Sequence, residues 1–208
     1  MNYQKLTQKS LEALQNARSL AEEHGNQQLT ESHMLLALLR QTDGLIPEIL
    51  RGMNVSLADT DSEISKQIER LPKIANLDPS RIYLSSEMNN VFTEAEKQAD
   101  KMKDEYVSVE HLMLAMIRKP EKPLKEMFER LGITESAWLD ALKKVRGNQR
   151  VTSDDPEGTY DVLKKYGSDL VELARQQKLD PVIGWDDEIR RVIRILSRKT
   201  KNNPCLIG

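Results

Sequence analysis

The chain has 208 residues, with 31 Lys and Arg against 33 Asp and Glu and a formal net charge of −2. That balance argues against a dedicated nucleic-acid binder, which needs excess cations to neutralise phosphate. The longest apolar runs, Met34–Leu39 and Leu112–Ile117, have six residues each against the ~20 of a membrane span, and MNYQKLTQKS carries no apolar leader.

A cytoplasmic protein with no membrane contact is therefore expected. The single cysteine, Cys205, makes no internal disulfide and fits a reducing compartment. Aromatic residues are 4% and charged residues 31% of the chain, a composition of packed amphipathic helices rather than of a β-sandwich.

Sliding the chain by 78 residues superimposes Leu6–Arg40 on Leu84–Arg118 without a gap, so an internal repeat organises the first 146 residues. His33, Leu36, Ala37 and Arg40 recur as His111, Leu114, Ala115 and Arg118. Each copy reads as four helices. The first starts at an N-cap, Thr7 or Ser85, and carries Leu11, Leu14, Ala17 and Ala21, or Met88, Phe92, Ala95, Ala99 and Met102, at helical spacing.

The second helix follows Thr30 or Ser108 and is apolar on most sides, which predicts a buried centre. Short third helices, Ile46–Arg51 and Leu124–Leu131, accept Pro47 and Pro123 near their starts. Fourth helices run from about Ser56 to Arg70 and Thr134 to Arg146. The expected fold is all-α: two four-helix repeats, about 6–71 and 84–146, related by a pseudo-two-fold axis in one eight-helix domain over residues 1–146. The stretch 147–158, GNQRVTSDDPEG, reads as a flexible linker.

Beyond it, Tyr160–Gln177 predicts an amphipathic helix with Leu163, Tyr166, Leu170 and Leu173 on one face. After the PVIG turn, Asp186–Arg198 predicts another, burying Ile189, Val192, Ile193 and Leu196. An apolar strand, Cys205–Ile207, should follow and bury the cysteine.

The segment LARQQKLDPVIGWDDEIRRVIRILSRKTKNNPCLIG resembles the opening of the first ATPase module of Clp-type AAA+ unfoldases. With the upstream KKYGSDL, the pattern is most similar to the ClpB-type disaggregases, and the doubled helical unit to the Clp N-terminal repeat domain. The resemblance implies that residues 159–208 begin an α/β AAA+ module and that the chain is the N-terminal part of a larger protein. No G-x-x-x-x-G-K-[ST] phosphate loop occurs, so the chain alone is expected to hold no cofactor and hydrolyse no ATP. ATP and Mg2+ belong to the full-length parent, a homohexamer by resemblance, whereas this chain alone is expected to be monomeric.

By position, Val182, Ile183 and Gly184 match the family's VIG turn at the adenine end of the nucleotide pocket; the alternative is an ordinary turn. Trp185 stands where the family usually has Arg, replacing a planar cation by an apolar ring. The basic run Arg190–Lys201 interleaves with apolar residues and reads as a solvated or subunit-facing helix surface.

His33 and His111 lie at equivalent points of different repeats without a neighbouring ligand set, which favours a capping or structural role over metal binding. No catalytic constellation stands out. The family pattern instead puts Thr7, Asp104 and Glu110 on polar positions linked to substrate handling, with Phe92 and His111 near an apolar groove at the seam. Each has a structural alternative: Thr7 as a cap, Glu110 as a first-turn acid, Phe92 as core.

The resemblance implies capture of unfolded or aggregated polypeptides, with adaptor or co-chaperone proteins as further partners. Two alternatives stay open: an adaptor-docking ClpC- or ClpA-like unfoldase partnered with a peptidase, and a stand-alone helical interaction module.

Overall fold

The computed structural model describes residues 3–147, 150–156, 170–175, 177–178 and 184–205. The chain divides into two compact units, Met1–Val162 and Leu163–Gly208. In the first unit the described helices are α1 (Gln8–Glu23), α2 (Glu31–Leu39), α3 (Leu45–Gly52), α4 (Leu57–Glu69), α5 (Ser86–Met102), α6 (Val109–Arg118), α7 (Lys122–Leu131) and α8 (Glu135–Arg146). Two short strands, β1 (Gln28–Leu29) and β2 (Tyr83–Leu84), accompany them. The all-α, four-plus-four order is the one the 78-residue offset predicts.

Capping chemistry sets the helix starts. Thr7 and Ser85 sit in extended backbone and accept N–H bonds from Ser10 and Met88, each satisfying a donor that the first helical turn leaves free. Pro47 and Pro123 fall in the first turns of α3 and α7. Every residue of α2 is buried, as are Val109–Met116 of α6, so these two helices form the centre. Each buried Leu or Met contributes about 1.5–3 kcal/mol.

The stripe of α1 differs from expectation. Ala13, Ala17 and Ala21, four apart, and Leu20 are buried, while Leu11 and Leu14 are only partly so. A row of small residues lets α2 approach closely and leaves the two leucines on the flank.

The repeats exchange their edges. Strand β1 pairs in parallel with β2 through Gln28↔Tyr83 and Leu29↔Leu84, and Leu6 bridges Val107 in parallel. Because Leu6 and Leu29 correspond to Leu84 and Val107 across the offset, one pairing is made twice, each time between opposite repeats. Ser85 N–H donates to the Leu29 carbonyl at 3.0 Å and Thr7 N–H to that of Val107 at 3.1 Å. This is the reciprocity of an isologous dimer contact inside one chain.

The stretch expected to be a flexible linker has no secondary structure over residues 150–156, but it is tied to the helical unit. Val151 is buried, its carbonyl accepts from Glu105 N–H at 2.9 Å, and the Asp154 carbonyl accepts from Gln8 N–H at 2.8 Å. Breaker-rich composition gives irregular chain here; the paired backbone groups keep it in place.

In the second unit, Leu170–Arg175 forms α9 and Asp186–Leu196 forms α10. Leu163 and Tyr166 lie outside the described residues. The face of α10 expected to be buried is not: Ile189, Ile193 and Leu196 are 43%, 56% and 55% exposed. Amphipathic spacing is enough to form the helix, but burial needs a covering element. Cys205 is likewise exposed, in a stretch without secondary structure. Among the described residues no helix is long and apolar enough to cross a membrane.

Candidate functional site

Each central helix begins with a capping box in which histidine replaces the usual Glu or Gln. Thr30 N–H donates to Nδ1 of His33 at 3.1 Å, and Ser108 N–H to Nδ1 of His111 at 3.0 Å. A backbone N–H can only donate, so Nδ1 accepts and Nε2 carries the proton. His33 Nε2–H then donates to Oδ1 of Asn26 at 3.1 Å, and His111 Nε2–H to Oδ2 of Asp104 at 3.0 Å. Asn26 and Asp104 are 78 residues apart: the same device is built once with an amide and once with a carboxylate. Burial pushes the His33 imidazole down to about 4, which keeps it neutral.

The second copy is an ion cluster. Asp104 is paired with the Arg146 guanidinium at 2.5 Å, and Arg146 Nη1 lies 3.5 Å from Glu110 Oε1. Asp104 Oδ1 also accepts from Val151 N–H at 2.8 Å. Burial works against ionisation of Asp104, yet the bonds from His111, Arg146 and Val151 hold its carboxyl below the ordinary range. Glu110 Oε2 is buried without a hydrogen-bond partner.

All five residues assigned to substrate handling are buried. Asp104, Glu110 and His111 are brought together in this cluster. Thr7, the cap of α1, is not in it: its hydroxyl donates to Ser10 Oγ, which donates to the carbonyl of Val107. Phe92 packs in the core. None of the five presents surface to a partner. Val182 and Ile183 lie outside the described residues; Gly184 is exposed with φ +83°, a conformation glycine takes at least cost.

Asn26, Arg146, Val151 and Glu31 escaped the sequence reading. The offset could have found Asn26, which lies under Asp104; Arg146 falls on the apolar Ile68 and Val151 on the dissimilar Lys73, so neither is marked by recurrence. Glu31, in the first turn of α2, is buried and accepts from Glu121 N–H at 2.8 Å. Burial, with Glu121 and Glu87 nearby, pushes its carboxyl up to about 8.

Open surface lies elsewhere along the seam. A groove of about 600 Å³ between α4 and α7 is lined mainly by charged side chains such as Glu63, Lys66, Arg70 and Arg130, so it is not the apolar groove expected. A cleft of about 330 Å³ is more apolar: Leu14 and Leu29 from the first repeat face Ile82, Tyr83 and Leu84, with Gln15 and Arg18 completing the lining. Tyr83 is 51% exposed there, and Ile74 beyond it 43%.

Doubled helical repeats, exchanged edges and histidine-capped central helices define the class. The family model for the Clp repeat (R) N-terminal domain matches residues 5–131, and the chain belongs to this family. Over its whole length it is 43% identical to the chaperone protein ClpB of Clostridium tetani and 46% identical to that of Clostridium perfringens, covering 24% of each. It thus spans about a quarter of the length of these curated relatives. The crystal structure of the Hsp104 N-terminal domain from Candida albicans superposes with a TM-score of 0.65 at 24% identity, over 74% of this chain and 99% of that one, a likeness of fold.

Proposed function

We propose that this chain is the substrate-capturing and positioning N-terminal part of a ClpB-type, ATP-dependent disaggregase. Whole-chain identity of 43–46% to ClpB chaperones carries the reading. In it, the helical unit presents non-native polypeptide to a cytoplasmic homohexameric AAA+ ring, whose modules bind ATP and Mg2+ and thread the client. The turn at Val182, Ile183 and Gly184 serves the nucleotide pocket of that longer protein.

Physical support for capture comes from the cleft around Leu14, Ile82, Tyr83 and Leu84. Leu14 and Leu84 are only partly buried there beside a half-exposed tyrosine, a surface that gains by covering apolar segments of an unfolded chain. Thr7, Phe92, Asp104, Glu110 and His111 act in this reading by holding the seam rather than by touching the client. Affinity per domain is low, and several copies in a ring supply avidity.

The test is a titration of unlabelled, reduced and carboxymethylated α-lactalbumin into the isotope-labelled chain, followed by NMR. Shifts centred on Leu14, Leu29 and Leu84 are expected, and Tyr83→Ser should abolish them without lowering the melting temperature. No shift at high concentration would remove the capture role. A second reading, docking of a folded adaptor, is favoured by the mixed-charge α4–α7 groove. Shifts confined to that groove on adding an adaptor, with none on adding unfolded chain, would select it.

A further inference from the structure

Residues 150–156, bent at Ser153 and Asp154, meet the helical unit through paired backbone groups as a bound peptide meets a receptor. Val151 buries its side chain completely. On its backbone, the N–H goes to Asp104 Oδ1 at 2.8 Å and the carbonyl to Glu105 N–H at 2.9 Å. Three residues on, the Asp154 carbonyl accepts from Gln8 N–H at 2.8 Å and its carboxylate from Gln8 Nε2 at 3.1 Å. Gln8 is the first residue of the sixteen-residue α1, where a free N–H and the positive end of the helix dipole favour both contacts.

The receiving edge is already strand-like. Val107 N–H donates to the Lys5 carbonyl at 2.7 Å and Thr7 N–H to that of Val107 at 3.1 Å, so the Glu105–Val151 bond adds a further rung, as in strand addition to a sheet edge. In the ion cluster that holds Asp104, Glu110 Oε2 is buried without a donor, so the network that receives Val151 is not saturated.

We propose that this cleft is a peptide-binding site occupied in cis by the chain's own strap, and that a segment of another polypeptide takes the strap's place when it lifts away. The chemistry selects a small β-branched residue for the buried pocket, and an acidic residue three positions later to meet Gln8. The strap thereby gates the site. This goes beyond client capture at the Tyr83 cleft and does not rest on it, since different residues form the two.

The probe is the strap itself, a fluorophore-labelled peptide Arg-Val-Thr-Ser-Asp-Asp-Pro, added to the full chain and to the full chain carrying Val151→Asp and Asp154→Ala. Anisotropy should show at least tenfold tighter binding to the double variant than to the natural chain, and a peptide with Asp in place of its Val should not bind. Hydrogen exchange at the Gln8 and Glu105 amides should speed up in the variant and slow again with peptide. The idea is overturned if the variant keeps its helical circular dichroism but binds no peptide, or if both proteins bind equally. Loss of fold in the variant would also overturn it, since the strap would then be a strut and not a gate.

Discussion

The two repeats solve one packing problem with different chemistry. At three equivalent positions the first uses Asn26, Ser32 and Ile68 and the second Asp104, Glu110 and Arg146; all six are buried. Both copies orient a histidine that caps the central helix. Even the contact to the following irregular segment is reversed: Asn26 Nδ2 donates to the Pro72 carbonyl at 3.0 Å, whereas Asp104 accepts from Val151 N–H. The fold requires that the polar group beneath each histidine be satisfied, not that it be charged.

The largest expected effects come from splitting the ion cluster. Arg146→Ile, copying Ile68, leaves Asp104 and Glu110 without their cation and should cost about 3–5 kcal/mol. Urea unfolding can follow Trp138, which is buried, in a Trp185→Phe background. The triple variant Asp104→Asn, Glu110→Ser, Arg146→Ile transplants the neutral set and should recover part of that loss, because an amide NH2 then faces one of the two donors, His111 Nε2–H or Val151 N–H, from which Asp104 accepts. A triple variant as unstable as Arg146→Ile would break the comparison. Asn26→Asp, in reverse, puts a carboxylate against the Pro72 carbonyl with Ile68 where a cation is needed, at about 3 kcal/mol.

Acid sharpens the same contrast. Asp104 has a lowered folded-state pKa, so its contribution is present above the ordinary carboxylate range and is lost as pH falls through the lowered value. The triple variant should lose that part of the acid transition, measured as a flatter stability curve below about pH 4.

How much of this was legible follows from which forces leave a periodic trace. The repeat, the helix order and the buried centres were readable because apolar spacing and Ser/Thr caps are local signals. Histidine capping was half-legible: His33 and His111 recur, but Asn26 and Asp104 lie seven residues upstream of them and differ in kind. Arg146 and Val151 were not legible, since their partners are 42 and 47 residues distant. A turn-rich composition such as 150–156 says nothing about where its backbone bonds go. In α10 the pattern reveals the helix and not the covering surface, so spacing predicts Ile193 buried where the structure exposes it.

Glu31 provides the next difference, because its counterpart in the second repeat is the buried Val109. Its pKa is raised from 4.5 to about 8, so the folded state holds a proton that the unfolded state has released. A raised pKa stabilises fully below 4.5, and the benefit is lost as pH climbs toward 8. Glu31→Gln removes that slope and keeps an acceptor for Glu121 N–H, gaining about 2 kcal/mol at pH 8 and little at pH 4.5. Glu31→Val, the direct copy of the second repeat, should gain less, because it orphans the Glu121 N–H. Glu121 is raised by burial too, so part of the slope should survive either change.

The smallest effect tests whether the helix caps are equivalent. Ser85→Ala removes one acceptor from Met88 N–H and should cost about 1 kcal/mol. Thr7→Ala removes the matching bond to Ser10 N–H and a second one, because the Thr7 hydroxyl also donates to Ser10 Oγ, which in turn donates across the seam to Val107. The position matching Ser10 is Met88, so no such relay exists in the second repeat. Thr7→Ala should therefore cost more, about 1.5–2 kcal/mol. A double-mutant cycle with Ser10→Ala isolates the relay: a coupling of about 0.5–1 kcal/mol is expected. A coupling near zero would mean that the Thr7 hydroxyl adds nothing to the Ser10–Val107 contact, and the two caps would then be energetically alike.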